Sequence, residues 1–394
     1  MEQFKITEYG AVPNTSTVST KSIQKAIDSC FKKNGGRVIC DSGVFITGTL
    51  ILKSNVELFL EAGSVLKGSE NLSDYQNLEE PFIGKNPPEK SNNALICASY
   101  AENISIRGAG TINGAGPAFY DHKKVDANGK FEKPETQRPR IIMFYRCKNV
   151  LIEDIGFVDS ACWTIWLMQC ENVCIHRIKV SGDRRLRNID GIDIDACKNV
   201  TVSDCIFDTE DDCIVVRNMK HFYKEYCPCE NITVTNCVLK TSCNGIRIGC
   251  PSDGEIRNCL FSNIVIEDSG NSILFEYPSR YKIPEITDGA NVHDIGFNNV
   301  IIHSSKRSPV AITVDEGIEL ERISDIYFSN IRVLNGTMPV MVCGNQHVII
   351  KNIVFNQFHL NTAAQPPIMF KYCQNIQLNQ VEVSHLPNEN QKDK

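Results

Sequence analysis

Asp190, Asp211 and Asp212 are the residues of this chain best suited to chemistry. Asp190 sits in Asn188-Ile189-Asp190-Gly191; Asp211 and Asp212 follow 21 and 22 positions later, in Glu210-Asp211-Asp212-Cys213. Clustered carboxylates repel, so a set held together costs stability and calls for a use. Two chemistries need such a set. Glycoside hydrolysis employs one protonated carboxyl as general acid and another, ionised, as base or nucleophile. Close carboxylates push one pKa up, which supplies the protonated member near neutral pH. Calcium binding is the other use, since hard cations take oxygen ligands. Asp residues at turns also cap backbone amides. Asp193 and Asp195, in Gly191-Ile192-Asp193-Ile194-Asp195, are read in that structural way.

The elements that must position these acids come from a repeat. The phrase Cys-x-Asn-Val/Ile begins at Cys147, Cys170, Cys197, Cys229 and Cys373. Related Asn-Ile/Val steps fall at Asn103, Asn263, Asn299, Asn330 and Asn352. Each leads into a short alternating segment such as Val150-Leu-Ile-Glu-Asp-Ile or Val200-Thr-Val-Ser-Asp-Cys, the mark of a half-buried strand. Short β-units at a drifting period, with almost no helical pattern, predict an all-β parallel solenoid. Strands of successive coils stack at about 4.8 Å. Asn side chains then pair in ladders at the turns, and Cys fills the narrow interior as a small apolar residue. One coil separates Asp190 from the Asp211-Asp212 pair, so all three are expected at the same corner of adjacent coils. A single helix is predicted from Thr20, with Ile23, Ala26, Ile27 and Phe31 inward, Ser19 or Thr20 capping its start and Gly35-Gly36 ending it. It covers the exposed first coil. The domain reading is one β-helix over 1–386, its cap region about 1–45, and a polar tail over 387–394. The segments Glu79–Asn92 and Tyr120–Pro139 read as loops that wall a cleft.

Composition narrows the partners. The 394 residues include 47 acidic and 41 basic side chains, a formal net charge of −6, with no basic run to bind nucleic acid. No apolar stretch reaches the ~18 residues of a membrane span, and Met1-Glu2-Gln3-Phe4-Lys5-Ile6 lacks the pattern of a signal peptide. A cytoplasmic protein is expected, or a secreted or periplasmic one if a leader has been removed. The 18 cysteines, spaced as core residues, fit a reducing compartment. Cys227-Pro-Cys229 is the only tight pair and has no second partner set, so neither metal nor cofactor is expected. Oligomeric state is left open, with a homo-oligomer allowed.

At the acidic motifs the chain resembles the polygalacturonase family, glycoside hydrolase family 28. The likeness runs through Glu8-Tyr9-Gly10-Ala11-Val12, Ile112-Asn113-Gly114-Ala115-Gly116, Arg138-Pro139-Arg140 and Trp163-Thr164-Ile165-Trp166. The family's N-T-D-G and D-D motifs correspond to Asn188–Gly191 and Asp211-Asp212. The resemblance implies a right-handed parallel β-helix and an inverting hydrolase. It implies Asp211 as the general acid, with Asp190 and Asp212 holding and deprotonating the attacking water. Two departures stand out. The histidine of the family's G-H-G element is Asn244 here, which forms hydrogen bonds but cannot titrate. The cations of its R-I-K element, which read the galacturonate carboxylate, are replaced by Leu274 and Glu276. A glutamate there is expected to repel a uronic acid, so the sugar is predicted to be neutral or differently oriented and plain homogalacturonan a poor substrate.

Further residues are assigned to the sugar site. Arg217 and Arg247 are either ion partners of the acids or substrate contacts. Tyr277 and Arg280 flank Glu276. His221, in an inserted loop, either reaches over the site or is solvated. Trp163 and Trp166, three positions apart along a strand, are expected to face opposite ways, one of them offering a stacking face; Trp163 is counted with the binding residues. The expected partner is an oligosaccharide or polysaccharide. Competing readings are a β-helix lyase, epimerase or glycosyl transferase, and a non-catalytic carbohydrate-binding solenoid.

Overall fold

The computed structural model describes residues 2–282 and 289–386; the expected polar tail lies outside them. The chain divides into two compact units, Met1–Asp211 and Asp212–Lys394, both built from parallel β-coils. Among the described residues no helix is long and apolar enough to cross a membrane.

In the first unit, helix α1, Thr20–Lys32, buries Ile23, Ala26, Ile27 and Cys30 against the first coils. Phe31, expected inward, is 44% exposed; it lies one position past the buried stripe, and the Lys53 ammonium sits over its ring. The expected side-chain cap is also absent. Ser19 Oγ accepts instead from the Val12 amide, and Thr20 Oγ1 from the Gly48 amide, so both hydroxyls tie the helix start to neighbouring loops. The helix ends through Asn34 at positive φ and the Gly35 amide, which donates to the Cys30 carbonyl.

The sheet carrying the acidic motifs includes β1 (Arg140–Tyr145), β2 (Ile165–Met168) and β3 (Ile192–Asp195). Their parallel register aligns Ile142, Ile165 and Ile192 inward and Met143, Trp166 and Asp193 outward. In the second unit the equivalent strands are β4 (Ile214–Arg217), β5 (Asn244–Ile248), β6 (Asn271–Tyr277), β7 (Val310–Val314) and β8 (Val340–Cys343). Ile246, Ile273 and Val310 align inward; Arg247, Leu274, Ala311 and Met341 align outward.

The ladders explain why these sequences coil. Asn55, Asn103, Asn149, Asn172 and Asn199 each adopt positive φ, a conformation Asn tolerates better than most residues. Each amide donates to the one below at 2.9 to 3.1 Å. The second unit repeats the device, for example Asn299 to Asn263 and Asn330 to Asn299. Its interior stacks Phe261, Phe297, Phe328 and Phe355 at 4.8, 5.2 and 5.0 Å between ring centres, the coil spacing itself. The repeated cysteines Cys147, Cys170, Cys197 and Cys229 are buried free thiols, filling the interior as expected.

Candidate active site

Asp190 lies in the bend that enters β3 and is buried, 3% exposed. Its carbonyl accepts from the Thr164 amide one coil below. Asp211 stands one coil above it: the Asp211 amide donates to the Ile189 carbonyl, and Asn188 Nδ2 donates to Asp211 Oδ2 at 3.4 Å. The Asp211 side chain is half-buried. The motif loop is pinned from beneath by Arg138, fully buried, which donates to Asn188 Oδ1, Glu89 and the Arg187 carbonyl. Burial opposes this charge, but the partners around it, Tyr120 and Glu89 among them, hold the guanidinium well above its ordinary range. The sequence showed Arg138 as part of the family pattern; only the fold shows it as the anchor of the Asn188–Gly191 loop.

The outer face of β1 to β3 is closed. Phe82, from the loop over Glu79–Asn92, packs its ring 5.4 Å from Trp166. Arg140 reaches the carbonyls of Ser91 and Pro88 and spreads its guanidinium 4.8 Å from Trp163 and 4.6 Å from Trp166. Tyr120 and Phe131, from the loop over Tyr120–Pro139, cluster with Leu186 and Ile189. Asp193 and Asp195 are both 0% exposed, and Asp195 Oδ2 accepts from the Trp166 indole at 3.4 Å.

This arrangement corrects the reading of Trp163. The two indoles do not face opposite ways; they meet edge to face, 5.1 Å apart. Trp163 precedes β2 in a bend, so strand alternation does not govern it. It is 5% exposed and serves as packing beneath Arg140, with no ring face open to a sugar.

The second unit begins at Asp212, peptide-bonded to Asp211 and fully buried. Asn244 Nδ2 donates to its Oδ1 at 2.5 Å, and Arg247 Nη1 donates to its Oδ2 at 3.0 Å. The Asn244 oxygen accepts from Asn271 Nδ2 at 2.8 Å, and the Asn271 oxygen from the Ser308 amide. A line of amides thus crosses three strands and ends on Asp212. Arg247 also donates to Glu276 at 2.7 Å and to Cys250 Sγ at 2.8 Å. Burial pushes the Cys250 thiol up to about 11 against the pull of Arg247 and Arg217, so it is a neutral acceptor. Burial opposes the Arg247 charge, but the Asp212 and Glu276 carboxylates hold it well above its ordinary range. Arg247 is therefore an ion partner, one of the two roles open to it from sequence. Arg217 is 2% exposed and closes β4.

Glu276 does not stand as a bare negative charge. It pairs with Arg247 and with Arg280, at 3.0 Å. Expected repulsion of a uronate is thereby removed at its source. Asn244, Arg247, Glu276 and Arg280 line a cavity of about 480 Å³ with Arg307, a residue that sequence reasoning passed over. The family motif marks Ser272–Tyr277, and Arg307 comes one coil later, in a stretch that no motif covers. A separate cavity of about 330 Å³ holds His221, Glu276 and Tyr277. His221 Nδ1 lies 3.1 Å from Asp253 Oδ1, so the histidine is tethered to the loop that follows β5 and is not among the residues lining the cavity of Asn244. Tyr277 is 4% exposed, and burial pushes its phenol up. Its hydroxyl lies over Gly249, φ +90°, where a Cβ would come within 2.2 Å of it. The Cys243 thiol lies within 4.8 Å of an Asp212 oxygen but already accepts from Asn244.

Parallel β-coils with buried and half-buried aspartates at their corners are the frame on which the family likeness rests. The chain belongs to the glycosyl hydrolases family 28, whose model matches residues 82–354; it is a glycosidase. It is 25% identical over 337 residues to an endo-polygalacturonase of Pectobacterium carotovorum subsp. carotovorum, covering 82% of this chain and 81% of the relative. It is 27% identical over 349 residues to an exo-poly-alpha-D-galacturonosidase of Dickeya chrysanthemi, covering 78% of this chain and 56% of that longer protein. Its fold matches a hyperthermoactive exopolygalacturonase from Thermotoga maritima with a TM-score of 0.80 at 22% identity, over 97% of this chain and 92% of the other. The fold is thus a right-handed parallel β-helix.

Proposed function

We propose that this glycosidase is an inverting, exo-acting hydrolase that releases terminal sugars from pectin-type oligosaccharides and cleaves the interior of plain homogalacturonan poorly. One observation carries the exo assignment. A long polymer needs an open groove on both sides of the bond it presents. Along β1 to β3 the outer face is filled by Phe82, Arg140, Trp163 and Trp166, which leaves no track for further sugars beyond Asp190. Endo action needs such a track, and terminal release does not.

In this reading Asp211 protonates the leaving oxygen, and Asp190 with Asp212 positions and deprotonates water on the opposite face. Half-burial of Asp211 suits a group that must reach a glycosidic oxygen. Donors on both Asp212 oxygens suit a base held in one orientation. Loss of the family's R-I-K cations supports the view that the sugar is neutral or turned so that its acid group meets another cation. The test is product analysis. Homogalacturonan and defined pectic oligosaccharides are digested, products are resolved by chromatography, and the first anomer is followed by NMR. Single sugars of inverted configuration, with polymer viscosity almost unchanged, are expected. An early ladder of intermediate oligomers would overturn the exo assignment, and retention of configuration the inverting one.

A further inference from the structure

We infer that Arg307 is the carboxylate-binding residue of this enzyme, set one coil beyond the strand on which the family places its cations. The inference rests on the proposal of a pectin-type substrate and names the group that reads it.

The charges of one cavity single out this residue. The charges of the 480 Å³ cavity do not balance: Arg247, Arg280 and Arg307 line it against Glu276 alone. Arg247 is committed to Asp212 and Glu276, and Arg280 to Glu276. Arg307 is left over. Among the described residues its guanidinium pairs with no carboxylate, and its side-chain contact is a weak one, Nη2 to Cys243 Sγ at 4.0 Å. Arg307 is exposed, which leaves its guanidinium open to a ligand in the cavity it lines.

The backbone and its neighbour fix the direction of the side chain. The Arg307 amide donates to the Gly270 carbonyl at 2.7 Å, and its carbonyl accepts from Ser305 Oγ at 3.0 Å. The side chain then lies across Gly270. A Cβ there would come 2.5 Å from Arg307 Nη2 and 3.1 Å from Nε, so glycine opens the path along which the guanidinium reaches toward Cys243. Asn271 and Asn244 stand next along the same cavity, and Asn244 is the residue that holds Asp212. A sugar in this cavity therefore has a planar, unpaired fork beside it and the Asp212 support below it. Arginine's fork matches a carboxylate with two parallel hydrogen bonds. Leu274, Ala311 and Met341 supply an apolar floor against which the face of a sugar ring packs.

The test compares wild type, Arg307→Gln and Arg307→Lys on an oligogalacturonide and on its methyl ester, which lacks the charge. Charge-assisted hydrogen bonds of this kind correspond to a loss of about 10- to 100-fold in kcat/KM. Arg307→Gln is expected to lose that factor on the acid and less than threefold on the ester, with Arg307→Lys between. Equal losses on both substrates, or none on either, would overturn the inference. Binding of free galacturonate against galactose, read by calorimetry, separates this failure from failure of the proposed function. If wild type hydrolyses no pectic oligosaccharide, yet galacturonate binds and Arg307→Gln abolishes that binding, the inference stands and the substrate assignment falls. If hydrolysis proceeds and galacturonate binding ignores the substitution, only the inference falls.

Discussion

Replacing Arg247 by methionine isolates the cost of leaving Asp212 charged inside the second unit. Methionine keeps most of the volume, so packing changes little. Two ion pairs disappear together, to Asp212 at 3.0 Å and to Glu276 at 2.7 Å, but they are unequal. Glu276 is 21% exposed along its side chain and keeps Arg280; its loss is worth at most about 1 kcal/mol. Asp212 has no exposure and loses the cation beside it. Stranding a buried charge in this way costs about 3–5 kcal/mol, which sets the expected destabilisation. Urea unfolding followed by intrinsic fluorescence checks it, using Arg247→Met, Asp212→Asn and the double variant. The double variant carries no stranded charge, so its midpoint is expected above that of Arg247→Met, with a coupling of about 0.5–3 kcal/mol in its favour. A single-variant loss below 1 kcal/mol, or strict additivity of the two substitutions, would refute the claim that Arg247 exists to compensate Asp212.

Two further substitutions probe the halves of the reading. Asp211→Asn is expected to lower kcat about 10²–10⁴-fold on natural glycosides, and far less on aryl glycosides whose leaving groups need no proton; an equal loss on both substrates counts against the role of general acid. Trp163→Ala is expected to cost about 3–5 kcal/mol of stability while changing the KM of the folded enzyme less than twofold, because the indole packs on Trp166 and Arg140. A raised KM with unchanged unfolding would return Trp163 to the sugar site.

The coil was legible because its corners demand one residue type. Positive φ at Asn149, Asn172 and Asn199, joined by side-chain amides in a ladder, leaves a chemical signature at each turn. Inward cysteines and isoleucines add the alternation. What the sequence concealed depends on contacts between distant segments. Phe82 covers Trp166 from a loop more than eighty residues away, and no local pattern announces that the outer face of β2 is dry. The charge of Glu276 was readable, but its compensation by Arg247 and Arg280 was not, since the first pairing crosses strands. Arg307 was missed for the opposite reason: the family motif marks one coil, and nothing local to Arg307 announces that its side chain lies across Gly270 on the neighbouring coil.

The two departures from the family pattern converge on one carboxylate. Asn271 donates to the Asn244 oxygen, so the Asn244 amide can present only its NH₂ to Asp212. Histidine in that position would change its donors with pH; the amide does not, and it cannot supply or withdraw a proton. Glu276 acts on the same residue at one remove, since it orients the guanidinium whose other end holds Asp212. A strand position that reads substrate elsewhere in the family has here become part of the support for the acid. That leaves uronate recognition to be supplied from another strand, and the cation available for it among the described lining residues is Arg307. Loss of the histidine and of the R-I-K cations together would suit a dead enzyme if Asp212 had been left slack. It is instead held by two donors whose own partners are fixed, as the proposed role of base requires.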